Sequence, residues 1–306
     1  MPMGYDSSSY ILAATALREG LNPYDAVVWG HLAGGVQYPA SEYLYPPLLA
    51  VLAIPVSYLP MMFATRLFAL LVLIGFLVFA LLLGRWLDLR LAMGMVFLFP
   101  LTWENIYFGQ INFLIAILLL LAIQAVEAGR PITLGVSLFL GALLKITPVV
   151  SILVLLRRGY WAALLAGLVS AAVVIMLTLP KAGLHLWIQG SYAALTAGPH
   201  IWWLGSWTGQ LTYWLRTPYG EILSLVLGST ALAVTLYRSN RIPSNLALSA
   251  TILLPLLFAR ITWSHHAVMA LPVLGVLWRR SPGNRLLAVV SWWLSPCCIT
   301  PAWPRF

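Results

Sequence analysis

Charged and imidazole side chains are rare in this chain, so the few that interrupt its apolar stretches are its candidate chemical groups. A carboxylate can serve as a general base for a hydroxyl group, and a cation that pairs with a phosphate offsets the cost of its own burial. Amide, phenol and indole side chains between apolar runs can bind a sugar. The candidates for catalysis are Asp6, Glu104, His265 and His266. The candidates for binding a phosphate are Lys145 and Arg260, and those for binding a sugar are Tyr45, Gln110, Asn112 and Trp263.

Several of these residues have a structural alternative. Asp6 could cap a helix that begins at the serines after it, and Lys145 could extend its ammonium to a membrane interface. Gln110 and Asn112 could instead satisfy the ends of neighbouring helices. His265 and His266 are adjacent, and adjacent residues face different sides of a helix, so we expect no metal site there.

The composition assigns the chain to a broad class. Of its 306 residues 61% are hydrophobic and only 8% are charged, against about 25% in average domains. This excludes a disordered protein, a secreted disulfide scaffold and most soluble enzymes. The basic residues form short groups between apolar runs rather than a stripe, so we expect no nucleic-acid partner. The chain is predicted to be an all-α polytopic membrane protein.

The apolar runs predict about eight to ten transmembrane or partial helices. Lys145 and Pro148 interrupt residues 131–156, which favours a hairpin of two half-helices over a single kinked span. Positive residues favour the cytoplasmic side. Ten of the 17 basic residues but only two of the eight acids fall in the loops that we assign there: Arg85, Arg90, Arg130, Arg157, Arg158, Arg238, Arg241, Arg279, Arg280 and Arg285, with Asp88 and Glu127.

The same orientation places the candidate residues outside the cytoplasm and divides the chain into two parts. Residues 1–46 form an external loop segment with a candidate catalytic aspartate, and residues 47–306 form a multi-pass domain with an external loop at about 181–219. An external first segment normally follows a transmembrane helix, so we expect that the chain lacks an initial helix. The prediction is a multi-pass protein of the cell membrane whose active site faces the extracytoplasmic side.

An ordered set of short motifs resembles glycosyltransferase family 87 of the type C superfamily over nearly the whole chain. The set comprises Asp6-x3-Tyr10, Asn22-Pro23-Tyr24-Asp25, Tyr45-Pro46-Pro47, Gly109-Gln110-Ile111-Asn112, Lys145-Ile146-Thr147-Pro148 and Trp263-Ser264-His265-His266. The family includes polyprenol-phosphate-mannose-dependent alpha-mannosyltransferases. The resemblance implies a type C bundle with an external active site, a polyprenyl-phosphate sugar donor and no cofactor.

The resemblance also implies roles for the candidate residues. Asp6 matches the general base, with Glu104 as the alternative base. The expected reaction is an inverting transfer of a sugar, mannose in the first instance, to a lipid-linked or glycolipid acceptor. Such a transfer needs only one carboxylate, because the phosphate is already a good leaving group. A transporter or flippase of lipid-linked sugars is the alternative, although no half-to-half repeat supports it.

Overall fold

The structure, a computed structural model, describes residues 4–35, 42–196, 206–215, 218–259, 262 and 264–280. Within these ranges the chain is almost wholly helical and no residue belongs to a β-strand. The helices are α1 (Tyr5–Arg18), α2 (Ala26–Gly35), α3 (Pro47–Ala53), α4 (Met61–Trp86), α5 (Leu89–Phe97), α6 (Pro100–Phe108), α7 (Asn112–Glu127), α8 (Pro131–Leu144), α9 (Val149–Arg158), α10 (Trp161–Thr196), α11 (Trp207–Leu215), α12 (Tyr219–Arg238), α13 (Ser244–Phe258) and α14 (Leu271–Arg280). A 3-10 helix, Ser264–Ala270, precedes α14.

Among the described helices, α4, α10 and α12 are long and apolar enough to cross a membrane. Helices α5 and α6 would together make a fourth span, bent by 65°. The bend falls before Pro100, where a proline disfavours helical geometry in the residue that precedes it. The prediction of an all-α polytopic membrane protein is therefore confirmed.

Three further apolar helices, α7, α8 and α13, have only 16, 14 and 15 residues. At about 1.5 Å per residue they are roughly 21–24 Å long, less than the roughly 30 Å of a hydrocarbon core. Short helices at membrane depth are tolerated where they pack inside a bundle. Helix α8 does so, since it packs along both α7 and α10.

Helices α8 and α9 form a hairpin whose tip is at Lys145, where the backbone is extended (φ −151°, ψ 126°). A Cβ atom on Gly135 would lie 1.8 Å from the carbonyl oxygen of Ala163, and one on Gly167 would lie 2.2 Å from the ring of Phe139. Helices α8 and α10 therefore run parallel and in close contact. Because α9 ends just before α10 begins, the chain must reverse at the tip. The predicted hairpin is confirmed over the single kinked span.

Helices α7 and α8 connect two different ends of the bundle. At the end opposite to Lys145, Glu127 accepts hydrogen bonds from Arg279 Nη1 (2.6 Å), Asn245 Nδ2 (2.6 Å) and Trp86 Nε1 (3.2 Å). This contact joins α4, α7, α13 and α14. We call this end of the bundle the basic end, because many of the described arginines lie at helix ends there: Arg85, Arg130, Arg157, Arg158, Arg241, Arg279 and Arg280.

The two segments predicted as external loops are largely helical in their described parts. Residues 1–46 contain α1 and α2, and α1 packs against α3 and α4. In residues 181–219, α10 continues to Thr196 beyond a break at Gly183 (φ 47°, ψ 155°), and α11 follows. The described parts of both segments are thus not irregular loops: α1 is buried on nearly all sides, and α10 buries residues such as Leu186 beyond its break. The division at residue 46 and the external location stay predictions.

Candidate functional site

Asp6 lies in the first turn of α1 and its carboxylate is held by a glutamine. Gln110 Nε2 donates to Asp6 Oδ2 at 2.7 Å. The oxygen of the same amide accepts from two phenols, Tyr10 (2.8 Å) and Tyr45 (3.1 Å), whose hydroxyls are 3.3 Å apart. Asp6 does not cap the helix, because Gly4 occupies the capping position and no side chain caps it. The alternative of a capping aspartate is therefore wrong.

Gln110 reaches Asp6 because the α6–α7 connection packs directly on α1. Gly109 ends α6 in the left-handed region (φ 70°), and a Cβ atom there would lie 2.7 Å from Ser7 Oγ. The backbone N–H of Gly4 also donates to the Tyr107 carbonyl at 2.7 Å. A left-handed residue with no room for a side chain requires glycine. Gly109 thus sets both the turn and the close approach.

Lys145, at the tip of the α8–α9 hairpin, points its ammonium at the start of α7. Its Nζ donates to Asn112 Oδ1 at 2.8 Å and lies 5.5 Å from the centre of the Tyr45 ring. The Asn112 amide is fixed in turn, since its Nδ2 donates to Asn105 Oδ1 (2.9 Å) and to the His265 carbonyl (3.2 Å). Within the described part of the chain, this 6%-exposed lysine is hydrogen-bonded to a neutral amide rather than to a carboxylate.

Glu104 and the two histidines lie next to this cluster. Ser264 Oγ donates to Glu104 Oε1, and His265 Nδ1 is 4.0 Å from the same oxygen. The rings of His265 and His266 are buried and meet edge to face at 4.9 Å. The 3-10 helix that carries the two histidines packs against α6, which carries Glu104, and against α7. Glu104, His265 and His266 therefore lie on the same side of the cluster.

Charge joins these groups into one site. The charge of Lys145 is close enough to interact with Asp6, His265 and His266. Loss of contact with water raises the pKa of the Tyr45 phenol above its ordinary value, and the Asp6 charge raises it further. The Tyr45 hydroxyl is therefore protonated at neutral pH and able to donate. The site combines two carboxylates and one buried ammonium: amide side chains bind Asp6 and Lys145, and a serine hydroxyl binds Glu104.

The structure brings most of the predicted site residues together. Eight of the ten lie in this cluster: Asp6, Tyr45, Glu104, Gln110, Asn112, Lys145, His265 and His266. The other two, Arg260 and Trp263, lie outside the described residues. Among the described residues no group of three His, Cys, Asp or Glu side chains could hold a metal ion, and the absence of a metal stays a prediction.

Three residues of the cluster were not among the predicted site residues, namely Tyr10, Asn105 and Ser264. Tyr10 is four residues after Asp6, a spacing that places both on one face once 5–18 is known to be a helix. Asn105 donates to the Gln110 carbonyl at 3.0 Å, and Ser264 donates to Glu104. Both are polar neighbours of predicted residues inside apolar surroundings, which is the signal that could have identified them.

The chain is similar to known glycosyltransferases. The sequence model of glycosyltransferase family 87 matches residues 43–293. The chain is also 29% identical over 329 residues to a polyprenol-phosphate-mannose-dependent alpha-(1-2)-phosphatidylinositol mannoside mannosyltransferase of Mycobacterium tuberculosis. That match covers 95% of this chain and 74% of the relative. The chain is a membrane glycosyltransferase, and it belongs to glycosyltransferase family 87.

Proposed function

We propose that this enzyme transfers mannose from a polyprenyl-phosphate donor to a hydroxyl group of a lipid-linked or glycolipid acceptor, on the extracytoplasmic side of the cell membrane. The observation that carries the proposal is that one cluster contains both a carboxylate, Asp6 held by Gln110, and a buried ammonium, Lys145 held by Asn112. The name of the Mycobacterium tuberculosis relative, with its polyprenol-phosphate-mannose donor and phosphatidylinositol mannoside acceptor, supports the same chemistry.

In the proposed reaction Asp6 takes the proton of the acceptor hydroxyl while its oxygen attacks the anomeric carbon of the sugar. The bond from that carbon to the phosphate oxygen breaks on the opposite face, its electron pair leaves with the polyprenyl phosphate, and the configuration is inverted. One carboxylate suffices because no leaving-group acid is needed. Lys145 pairs with the phosphate and stabilises the charge that develops on it.

The depth of the site favours a donor that stays in the bilayer. The tip of α8 is about 21 Å from its basic end, since the helix has 14 residues that rise about 1.5 Å each. A hydrocarbon core is roughly 30 Å thick, so the proposal, which puts the start of α8 at the cytoplasmic surface, puts Lys145 below the opposite surface. A phosphate on a polyprenyl chain can reach this depth while its chain stays in lipid, whereas a soluble nucleotide sugar would have to leave water.

The distribution of charge supports the proposed side of the membrane. Most of the described arginines at helix ends lie at the basic end, away from Asp6 and Lys145, and positive residues favour the cytoplasm. Arg260 is proposed as a second phosphate ligand, and His265 or His266 as a donor to the phosphate or a guide to the acceptor. Trp263 is proposed to contact the sugar or the acceptor.

The proposal is tested by transfer from polyprenyl-phosphate-mannose with purified protein in detergent, comparing Asp6→Asn with Asp25→Asn. Asp25 caps α2, since its Oδ1 accepts from the N–H groups of Val27 (2.8 Å) and Val28 (3.3 Å), and asparagine caps equally well. We expect no transfer by Asp6→Asn and nearly full transfer by Asp25→Asn, with similar thermal stability.

Two outcomes would contradict the proposal. An active Asp6→Asn variant would show that Asp6 is not the general base, and Glu104 would then be the candidate for that role. Wild-type protein that transfers glucose or arabinofuranose from the corresponding polyprenyl phosphates, but not mannose, would overturn the donor sugar. The assay also distinguishes a transferase from a flippase. A flippase only moves a lipid across a membrane and forms no new glycoside, whereas a transferase forms one in detergent as well.

A further inference from the structure

The polar atoms of the Gln110 side chain meet three protein groups. Its oxygen accepts from Tyr10 and Tyr45, and its nitrogen donates to Asp6. Gln110 is 2% exposed and Tyr10 is fully buried, so the bond between these two side chains is shielded from water. We propose that Tyr10 and Tyr45 hold the Gln110 amide in one orientation and that this amide positions the Asp6 carboxylate for catalysis, an inference that rests on Asp6 being the base.

The orientation of the amide follows from what each partner is able to do. An ionised carboxylate only accepts, so the amide must present its nitrogen to Asp6, and its oxygen is then free to accept from the two phenols. If the amide turned over, its oxygen would face the Asp6 carboxylate, and both phenols would have to turn their protons away and accept from the amide nitrogen. Each phenol that donates to the Gln110 oxygen therefore stabilises the observed orientation.

The two phenols come from different parts of the chain. Tyr10 is one helical turn after Asp6 on α1. Tyr45 precedes α3, and its own carbonyl accepts from the Tyr24 hydroxyl at 2.6 Å. The Tyr10 and Tyr45 rings also pack edge to face at 5.1 Å. Gln110 therefore connects the base on α1 to the segment before α3, a role different from both sequence predictions for it, which were sugar binding and contacts with helix ends.

The first test is a cycle of Tyr10→Phe, Tyr45→Phe and the double variant. Since one donor is enough to orient the amide, each single variant should lower kcat by no more than about threefold, within the worth of one net hydrogen bond. The double variant should lower kcat by more than about tenfold and by more than the product of the singles, with donor KM changed by less than about twofold. Tyr160→Phe, which loses a comparable bond to Ser244 at the basic end, is the control and should keep its kcat.

The second test is Gln110→Glu, which keeps an oxygen for both phenols but replaces the N–H donor to Asp6 with a second carboxylate oxygen. We expect kcat to fall by more than about a hundredfold at neutral pH, the size of a lost charge-assisted hydrogen bond combined with like-charge repulsion. We also expect the acid limb of the pH profile of kcat/KM to move to higher pH. A merely structural loss would lower the amount of folded enzyme without moving that limb.

The results separate this inference from the proposed function. If the double tyrosine variant keeps kcat within twofold of wild type, or if donor KM rises while kcat stays constant, the positioning role is refuted. If the double variant does not fold, an unmoved acid limb in Gln110→Glu refutes it instead. In all of these cases an inactive Asp6→Asn enzyme leaves the proposed function intact, whereas an active one removes both.

Discussion

Lys145→Met is the most direct test of how the enzyme binds its donor. Methionine keeps an unbranched chain of similar length but removes the ammonium, which is 6% exposed and donates to Asn112 Oδ1. A hydrogen bond between charged groups is worth about 1.5–3 kcal/mol. Loss of one to the donor phosphate should therefore lower kcat/KM for polyprenyl-phosphate-mannose by about 10- to 150-fold.

The folded state should change less than the activity. The substitution leaves Asn112 Oδ1 without its donor, which costs about 1–3 kcal/mol, but it also removes the cost of burying an ammonium. The Asn112 amide keeps its bonds to Asn105 and His265. We expect the midpoint of thermal unfolding in detergent to move by a few degrees at most.

The assay measures donor dependence and inhibition together. Initial rates are taken over a range of donor concentrations, with sugar-free polyprenyl phosphate as a competitive inhibitor. The inhibition constant of polyprenyl phosphate should rise by the same factor as kcat/KM falls, because both quantities depend on the contact between Lys145 and the phosphate. Lys181→Met is the matched control, since Lys181 is an exposed lysine on α10. An unchanged inhibition constant, or an equal loss in the control, would refute the role of Lys145.

Three further predictions concern the hairpin, the orientation and the alternative base. Gly135→Ala should lower the unfolding midpoint strongly, with a cost of about 1–3 kcal/mol or more, because its Cβ meets the α10 backbone; Gly30→Ala, which meets nothing within 4 Å, should not. With both native cysteines replaced by serine, Leu21→Cys should react with an impermeant maleimide on intact cells and Arg90→Cys only after permeabilisation; the reverse pattern would invert the topology. Glu104→Gln should keep transfer within about tenfold of wild type, since glutamine still accepts a hydrogen bond; a complete loss of transfer would make Glu104 the base.

The sequence was sufficient to predict features that depend only on residues near each other in the chain. Pro148 disfavours helix in the residue before it, and the hairpin tip at Lys145 followed from that rule and the flanking arginines. Gly109 ends α6 and leaves Gln110 and Asn112 beside it, which also depends on neighbouring residues only. The candidates Lys145, Gln110 and Asn112 could therefore be identified from the sequence alone.

Contacts between distant residues could not be predicted in this way. Gln110 and Tyr10 are 100 residues apart, so their hydrogen bond depends on how α1 packs against the α6–α7 connection. Residues 1–46 were predicted as an external loop, with a helix after Asp6 only as an alternative, because the apolar run in 5–18 is too short for a membrane span. That helix is stabilised by burial inside the bundle rather than by length, and burial is a tertiary property.

The contact around Glu127 has a consequence for biosynthesis. Trp86, the first partner, is already made when α7 appears, but Arg279 follows about 150 residues later. At about 5–20 residues per second, α4 and α7 exist for roughly 8–30 s before α14 can complete the contact. Nascent chains arrested before α14 should therefore be cleaved readily by proteases at the arginine-rich end, and resistance should appear only once the last described helix has entered the bundle.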